Sequence, residues 1–255
     1  MIIHFLGTGT SQGVPIIGVD DPVCQSDDPR DNRLRTSVWV EWDGVDIVID
    51  CGPDFRYQML RAKNRNIDAI VFTHEHSDHT AGLDDIRPYC FAEGKIMPFF
   101  AQQRVLDSII KRFDYFFCTV DRYPGAPNVL LNPIEDFQKF DVKGKEIQSF
   151  PVTHGKLPIL GYKFDNFAYI TDSTFLKDEV YELLNGVEVL VINCLRKEPH
   201  PSHNHLELAL EHIKKIAPKK AYLTHIGFQL GLHEEVQKEL PEHVFLAYDG
   251  LILEI

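Results

Sequence analysis

Short apolar runs, most of them rich in β-branched or aromatic residues, recur along this chain: IIHFL near the start, then SVWVEW, DIVIDC, AIVFTH, EIQSFPVTH, FAYITD, EVLVINC, KAYLTHI and HVFLAYDG. Runs of this length and residue type predict strands. Between them, apolar positions repeat at helical spacing over residues 54–64, 102–113, 176–185, 206–216 and 233–239, with end signals that predict helices. Strands and helices alternate throughout, which predicts an α/β fold. With no internal repeat, low-complexity tract or Gly/Ser linker, residues 1–255 are expected to form one domain. The Pro-rich stretch 123–133 is expected to be a surface connector.

The polar residues that end these runs form a pattern of their own. AIVFT runs into His74, FPVT into His154, AYIT into Asp172 and AYLT into His225, each ligand-type side chain preceded by Thr. Rigid strand ends hold side chains more accurately than loops do, so four such ends predict one shared site.

Composition sets the class of partner. The chain has 44% hydrophobic and 25% charged residues, enough apolar surface for a core. Its net charge of −12 repels polyphosphate backbones, so nucleic acid is not an expected partner. Four lysines, at 214, 215, 219 and 220, make the only dense basic cluster and are expected to be a solvated face. Two bound divalent cations would nevertheless make one cleft attractive to an anionic small molecule. MIIHFLGTGT has no basic region, and no apolar stretch approaches the ~18 residues of a membrane span, so a soluble cytoplasmic protein is expected. Five scattered cysteines, none in a Cys-x-x-Cys pair, suit reduced thiols.

The segment Thr73-His74-Glu75-His76-Ser77-Asp78-His79 concentrates imidazoles and carboxylates directly after a strand. In a turn, His74 and His76 can face one way while Asp78 and His79 face another, giving two adjacent half-sites. Imidazole with carboxylate suits Zn, Mn or Fe(II), and the absence of thiolate argues against a Cys-rich structural zinc site. His154 or Asp172 alone would read as a hydrogen-bonded core or cap residue. The set makes them candidate ligands.

This set, His74-x-His76-x-Asp78-His79 followed by His154, Asp172 and His225, resembles the metallo-β-lactamase superfamily. The resemblance implies a four-layer αββα sandwich with two divalent metal ions per chain. It places His74, His76 and His154 on one ion, Asp78, His79 and His225 on the other, and Asp172 between them. A carboxylate at 172, where β-lactamases typically have Cys, implies the phosphodiesterase and thioesterase branches. The absence of Glu at 76 and of a flavin domain argues against redox relatives.

Three further stretches, residues 7–15 (GTGTSQGVP), Asp50-Cys51-Gly52-Pro53-Asp54, and His200-Pro201-Ser202-His203 before Leu206 and Glu207, resemble the phosphoribosyl cyclic phosphate phosphodiesterase (PhnP-like) branch. His203 stands 22 residues before His225, as the catalytic histidine of that branch does. It therefore inherits the role of proton donor, in competition with His200 and His205, and Asp78 is carried as a catalytic as well as a metal residue. Asp50 resembles the family's aspartate that orients a ligating histidine, and a turn aspartate capping residues 52–54 is the alternative. The glycines of 7–15 lack the Gly-Lys-Ser/Thr ending of a P-loop and are expected to serve a tight turn. Relatives often bind an accessory zinc through cysteines near position 18. With Val19, Asp21, Cys24 and Phe228 here, that zinc is expected to be absent.

The expected chemistry is hydrolysis of a small, possibly cyclic phosphodiester by a hydroxide shared between the two ions, with a homodimer compatible. The alternatives are a transfer-RNA 3′-processing endonuclease, a thioesterase or glyoxalase II-like hydrolase, and a non-enzymatic metal-binding protein.

Overall fold

The structure, a computed structural model, describes residues 1–91 and 94–255. Among the described residues fourteen strands lie in chain order: β1 Ile2–Gly7, β2 Ser37–Trp42, β3 Val45–Ile49, β4 Ala69–Val71, β5 Ile96–Ala101, β6 Asn128–Pro133, β7 Lys139–Val142, β8 Lys145–His154, β9 Leu157–Phe164, β10 Phe167–Tyr169, β11 Val189–Asn193, β12 Lys220–Thr224, β13 Val244–Leu246 and β14 Ile252–Glu254. They build two seven-stranded sheets, β14-β1-β2-β3-β4-β5-β6 and β13-β12-β11-β10-β9-β8-β7. The helices are α1 Phe55–Ala62, α2 Ser77–Thr80, α3 Arg87–Phe91, α4 Gln103–Arg112, α5 Asp178–Leu184, α6 Leu206–Ile216 and α7 His233–Glu239.

Strand alternation explains the layers. In β2, Val38 and Val40 face the core between the sheets while Trp39 faces outward beneath the helices. In β3 and β4 the same alternation puts Ile47, Ile49, Ala69 and Val71 inside, with Val48 and Ile70 toward α1 and α4. In β11, Val189 and Val191 meet the first sheet, whereas Leu190 and Ile192 pack against α5 and α6. Because both faces are covered, these strands read as continuous apolar runs rather than alternating ones. Each fully buried Val or Ile contributes about 1.5–3 kcal/mol by leaving water. The αββα sandwich implied by the motifs is the observed fold.

Two departures have local causes. β6 occupies the second half of the stretch expected to be a connector. As an edge strand paired only with β5 it is half exposed, and its terminal Pro133 costs no interior ladder bond. β9 was hidden by Pro158 and Gly161. A Cβ at Gly161 would stand 2.3 Å from the Phe150 ring, so glycine is what lets β8 and β9 pack. The lysines at 214, 215, 219 and 220 are all exposed, as expected of a solvated face. No helix among the described residues is long and apolar enough to cross a membrane.

Candidate metal centre

Both sheets deliver their strand ends to one point. From the first sheet, β4 runs through Phe72 and Thr73 into His74, and α2 then carries Asp78 and His79. From the second, β8 ends on His154, while Asp172 and His225 lie just beyond β10 and β12. Asp50, Asp172 and His225 take left-handed backbone angles (φ 64°, 53° and 54°), a conformation that costs energy for non-glycine residues and gathers where function requires a fixed direction. At the first sheet the chain doubles back tightly. A Cβ on Gly52 would lie 2.1 Å from the Asp78 carbonyl oxygen, so glycine in the Asp50–Asp54 run permits that run to pack on α2.

The predicted residues fall into touching groups. His74, His76 and His154 form one, Asp78, His79, Asp172 and His225 a second, and His154, Asp172 and His203 a third, with ligand-type atoms within 4.8 Å of one another in each. His79 Nε2 lies 3.1 Å from Asp78 Oδ2 and 3.3 Å from Asp172 Oδ2. His225 Nε2 lies 3.2 Å from Asp172 Oδ1 and 3.7 Å from Asp78 Oδ2. Asp172 belongs to the second and third of these groups, and His154 to the first and third.

Neighbouring groups fix which nitrogen faces inward. The Thr73 backbone N–H and hydroxyl both donate to Asp50, each at 2.8 Å. Having given its one proton to Asp50, the Thr73 hydroxyl accepts from His74 Nδ1–H at 3.0 Å, which leaves the lone pair on Nε2. His79 Nδ1 donates to Asp50 at 2.7 Å and His154 Nδ1 to the Ser202 carbonyl at 2.6 Å. All three imidazoles thereby present Nε2 to the centre, the tautomer that metal binding requires. Asp50→Asn replaces one acceptor with an N–H that faces donors. It is expected to weaken metal binding about 10–100-fold, measured by competition with a chromogenic chelator.

The electrostatics favour a cation. Burial works against charge on His79, yet Asp78, Asp50 and Asp172 outweigh it and hold the imidazole well above its ordinary range. Burial likewise opposes ionisation of Asp172, but His225 and His79 keep it well below the usual carboxylate range. Burial and then His79 push His74 well down, so it is a neutral donor. His79 Nε2 and both nitrogens of His225 are buried without a hydrogen-bond partner, although carboxylate oxygens are close. An unpartnered buried polar atom costs about 1–3 kcal/mol, and several aimed at one space are what divalent cations would satisfy. The donor set, all imidazole and carboxylate, fits Zn or Mn.

His203 joins the centre and its competitors do not. Its Nδ1 lies 3.5 Å from Asp172 Oδ1, and its ring stacks on His225 at 4.9 Å. Burial, then His225, push it down to about 3. His200 lies one ring further out, 5.0 Å from His203, and accepts from the Ser202 N–H, while His205 occupies the N-cap of α6. Residues 7–15 hold the centre from behind: Gly9 bridges both Arg35 and Ile226, the residue after His225, and a Cβ there would stand 2.8 Å from the Arg33 carbonyl oxygen. The loop after Gly18 is closed by Asp21 accepting from the Val23 N–H and by Asp31 accepting from Ser26 and from the His233 N–H.

Sequence reasoning noted the threonines before each ligand without assigning them work. Thr73 orients His74, Thr171 donates to Asp172 at 2.6 Å, and Thr224 pairs with Thr36 at 3.0 Å. Ser202 was also missed, because it acts through its carbonyl oxygen.

Residues 46–226 match the family model described as the beta-lactamase superfamily domain. The crystal structure of a diphosphatase from the PhnP family superposes with a TM-score of 0.93 at 39% identity, covering 100% of this chain and 97% of that one. The octanoyltransferase of Porphyromonas gingivalis is 41% identical over 248 residues, 96% of this chain, which spans only 50% of that protein. Ribonuclease Z of Clostridioides difficile is 39% identical over 148 residues, 56% of this chain and 47% of that protein. With the family model covering well over half of it, the chain belongs to the metallo-β-lactamase superfamily, and its structure resembles that of the PhnP-family diphosphatase.

Proposed function

We propose that the chain hydrolyses small phosphodiesters, cyclic ones included, with two divalent cations held by His74, His76 and His154 on one side and Asp78, His79 and His225 on the other. One observation supports this reading: the Asp172 carboxylate lies within 3.3 Å of both His79 and His225 and also shares a group with His154, so it reaches residues of both sides. When bound, the cations supply charge to offset the phosphoryl oxygens and lower the pKa of water toward neutrality.

The chain's own residues orient, shield and move protons. Asp50 holds His79, Thr73 holds His74, and Ser202 holds His154, so no ligand turns as charge develops. His203, beside Asp172 at the rim of the centre and neutral at rest, takes up the proton that the attacking water gives up and passes it to the leaving oxygen. A cysteine nucleophile is not required, and burial holds the thiols of Cys51 and Cys194 above their ordinary range, against thiolate formation.

The ribonuclease Z match favours a second reading, an RNA endonuclease, against which stands the net charge of −12. A substrate panel separates them. Metal-replete protein is expected to turn over a five-membered cyclic ribose phosphate and bis-nitrophenyl phosphate. A nucleotide diphosphate ester tests the bond implied by the diphosphatase relative. Cleavage of precursor transfer RNA with no small diester consumed would establish the nuclease instead, and turnover of lactoylglutathione alone would establish a thioesterase.

A further inference from the structure

The three-histidine group is assembled from two sheets: His74 and His76 come from the motif segment of the first, His154 from the β8–β9 hairpin of the second. On the outer side, α4 touches both. Arg104 on its first turn donates to the Glu75 carboxylate, between the two motif histidines, and through its second terminal nitrogen to the Pro158 carbonyl oxygen. Pro158 pairs with Thr153, and the adjoining rung of the same hairpin pairs Leu157 with His154. Two turns further along α4, Arg112 donates to the Thr80 hydroxyl, which itself donates to the His76 carbonyl oxygen at 2.8 Å. One helix thus grips the motif segment at both ends and the hairpin at one.

We infer that Arg104 is a positioning residue that sets the separation of His154 from His74 and His76, and so governs cation affinity at the three-histidine group selectively. The inference rests on the proposed assignment of those histidines as ligands. Three facts separate this role from general support. The sheets are already joined at this edge by the Leu160 N–H on the Thr73 carbonyl oxygen at 3.1 Å and by the Tyr162 hydroxyl on the Phe72 carbonyl oxygen at 2.6 Å, so loss of Arg104 leaves them docked. The second Glu75 oxygen is buried and has no hydrogen-bond partner, so without the guanidinium that carboxylate must move toward water and draw the flanking His74 and His76 with it. The other group, Asp78, His79, Asp172 and His225, is held by Asp50 and the second sheet and makes no contact with Arg104. A planar guanidinium can reach both acceptors at once, which an ammonium cannot.

The test uses the whole chain, stripped of metal and titrated with Co(II), following the visible absorption of each equivalent and the melting temperature of the metal-free protein. Wild type is expected to take two equivalents. In Arg104→Ala one equivalent binds about 10–100-fold more weakly, the range found when groups that orient metal ligands are lost, while the other is unchanged. Arg104→Lys falls between the two. Equal weakening of both equivalents, or a lower melting temperature with both affinities intact, would overturn the role of Arg104. A wild-type chain that binds fewer than two equivalents would instead overturn the ligand assignment.

Discussion

Asp172→Asn is expected to abolish the two-metal centre while leaving the fold standing: metal content drops from two to one per chain, and kcat/KM falls by about 10²–10³-fold. The substitution keeps the side-chain shape and suits the left-handed backbone at this position, since Asn tolerates φ near 53° as Asp does. It removes a buried carboxylate that faces both His79 and His225 and shares a group with His154. Losing one preorganised electrostatic partner at a reacting centre costs about 10²–10³-fold in rate, or about 2.7–4 kcal/mol, which sets the magnitude. Elemental analysis, circular dichroism and steady-state kinetics together check it. Unchanged metal content with full activity would mean that Asp172 bridges nothing.

His203→Ala is expected to separate substrates by their leaving group. Alkyl diesters, whose leaving alkoxide needs a proton, should lose about 10²–10⁴-fold in turnover. Nitrophenyl esters, whose leaving group departs as a stable anion, should lose far less, and metal content should hold because His203 stands outside the two proposed ligand sets, 3.5 Å from Asp172 and against the rings of His154 and His225. His200→Ala, one ring further out, serves as the control and should show no such split. Equal losses on both substrate types would remove His203 from the proton-donor role.

Much of the centre was legible because its residues end apolar strands. His74, His154, Asp172 and His225 each close a run whose period and composition predict a buried strand, and strand ends converge in a sandwich. What escaped was whatever acts through the backbone or across the sheets. Ser202 contributes a carbonyl oxygen, which any residue type would supply. Arg104 and Glu75 meet 29 residues apart in sequence, with nothing in either neighbourhood to mark the pair. β9 carries Pro158 and Gly161, residues that normally argue against a strand interior; both have local reasons, Pro158 at the hairpin and Gly161 against Phe150. In β6 only the edge position accounts for a half-exposed pattern ending in proline.

The central claim is that two cations, not one, support hydrolysis of a small phosphodiester at this centre. The direct measurement strips the protein of metal and follows hydrolysis of a cyclic ribose phosphate as Mn(II) or Zn(II) is returned in known equivalents per chain. Negligible turnover without metal and a rise that ends at two equivalents are expected. Full activity at one equivalent, or a fully loaded protein inert toward every small phosphodiester, would contradict the claim.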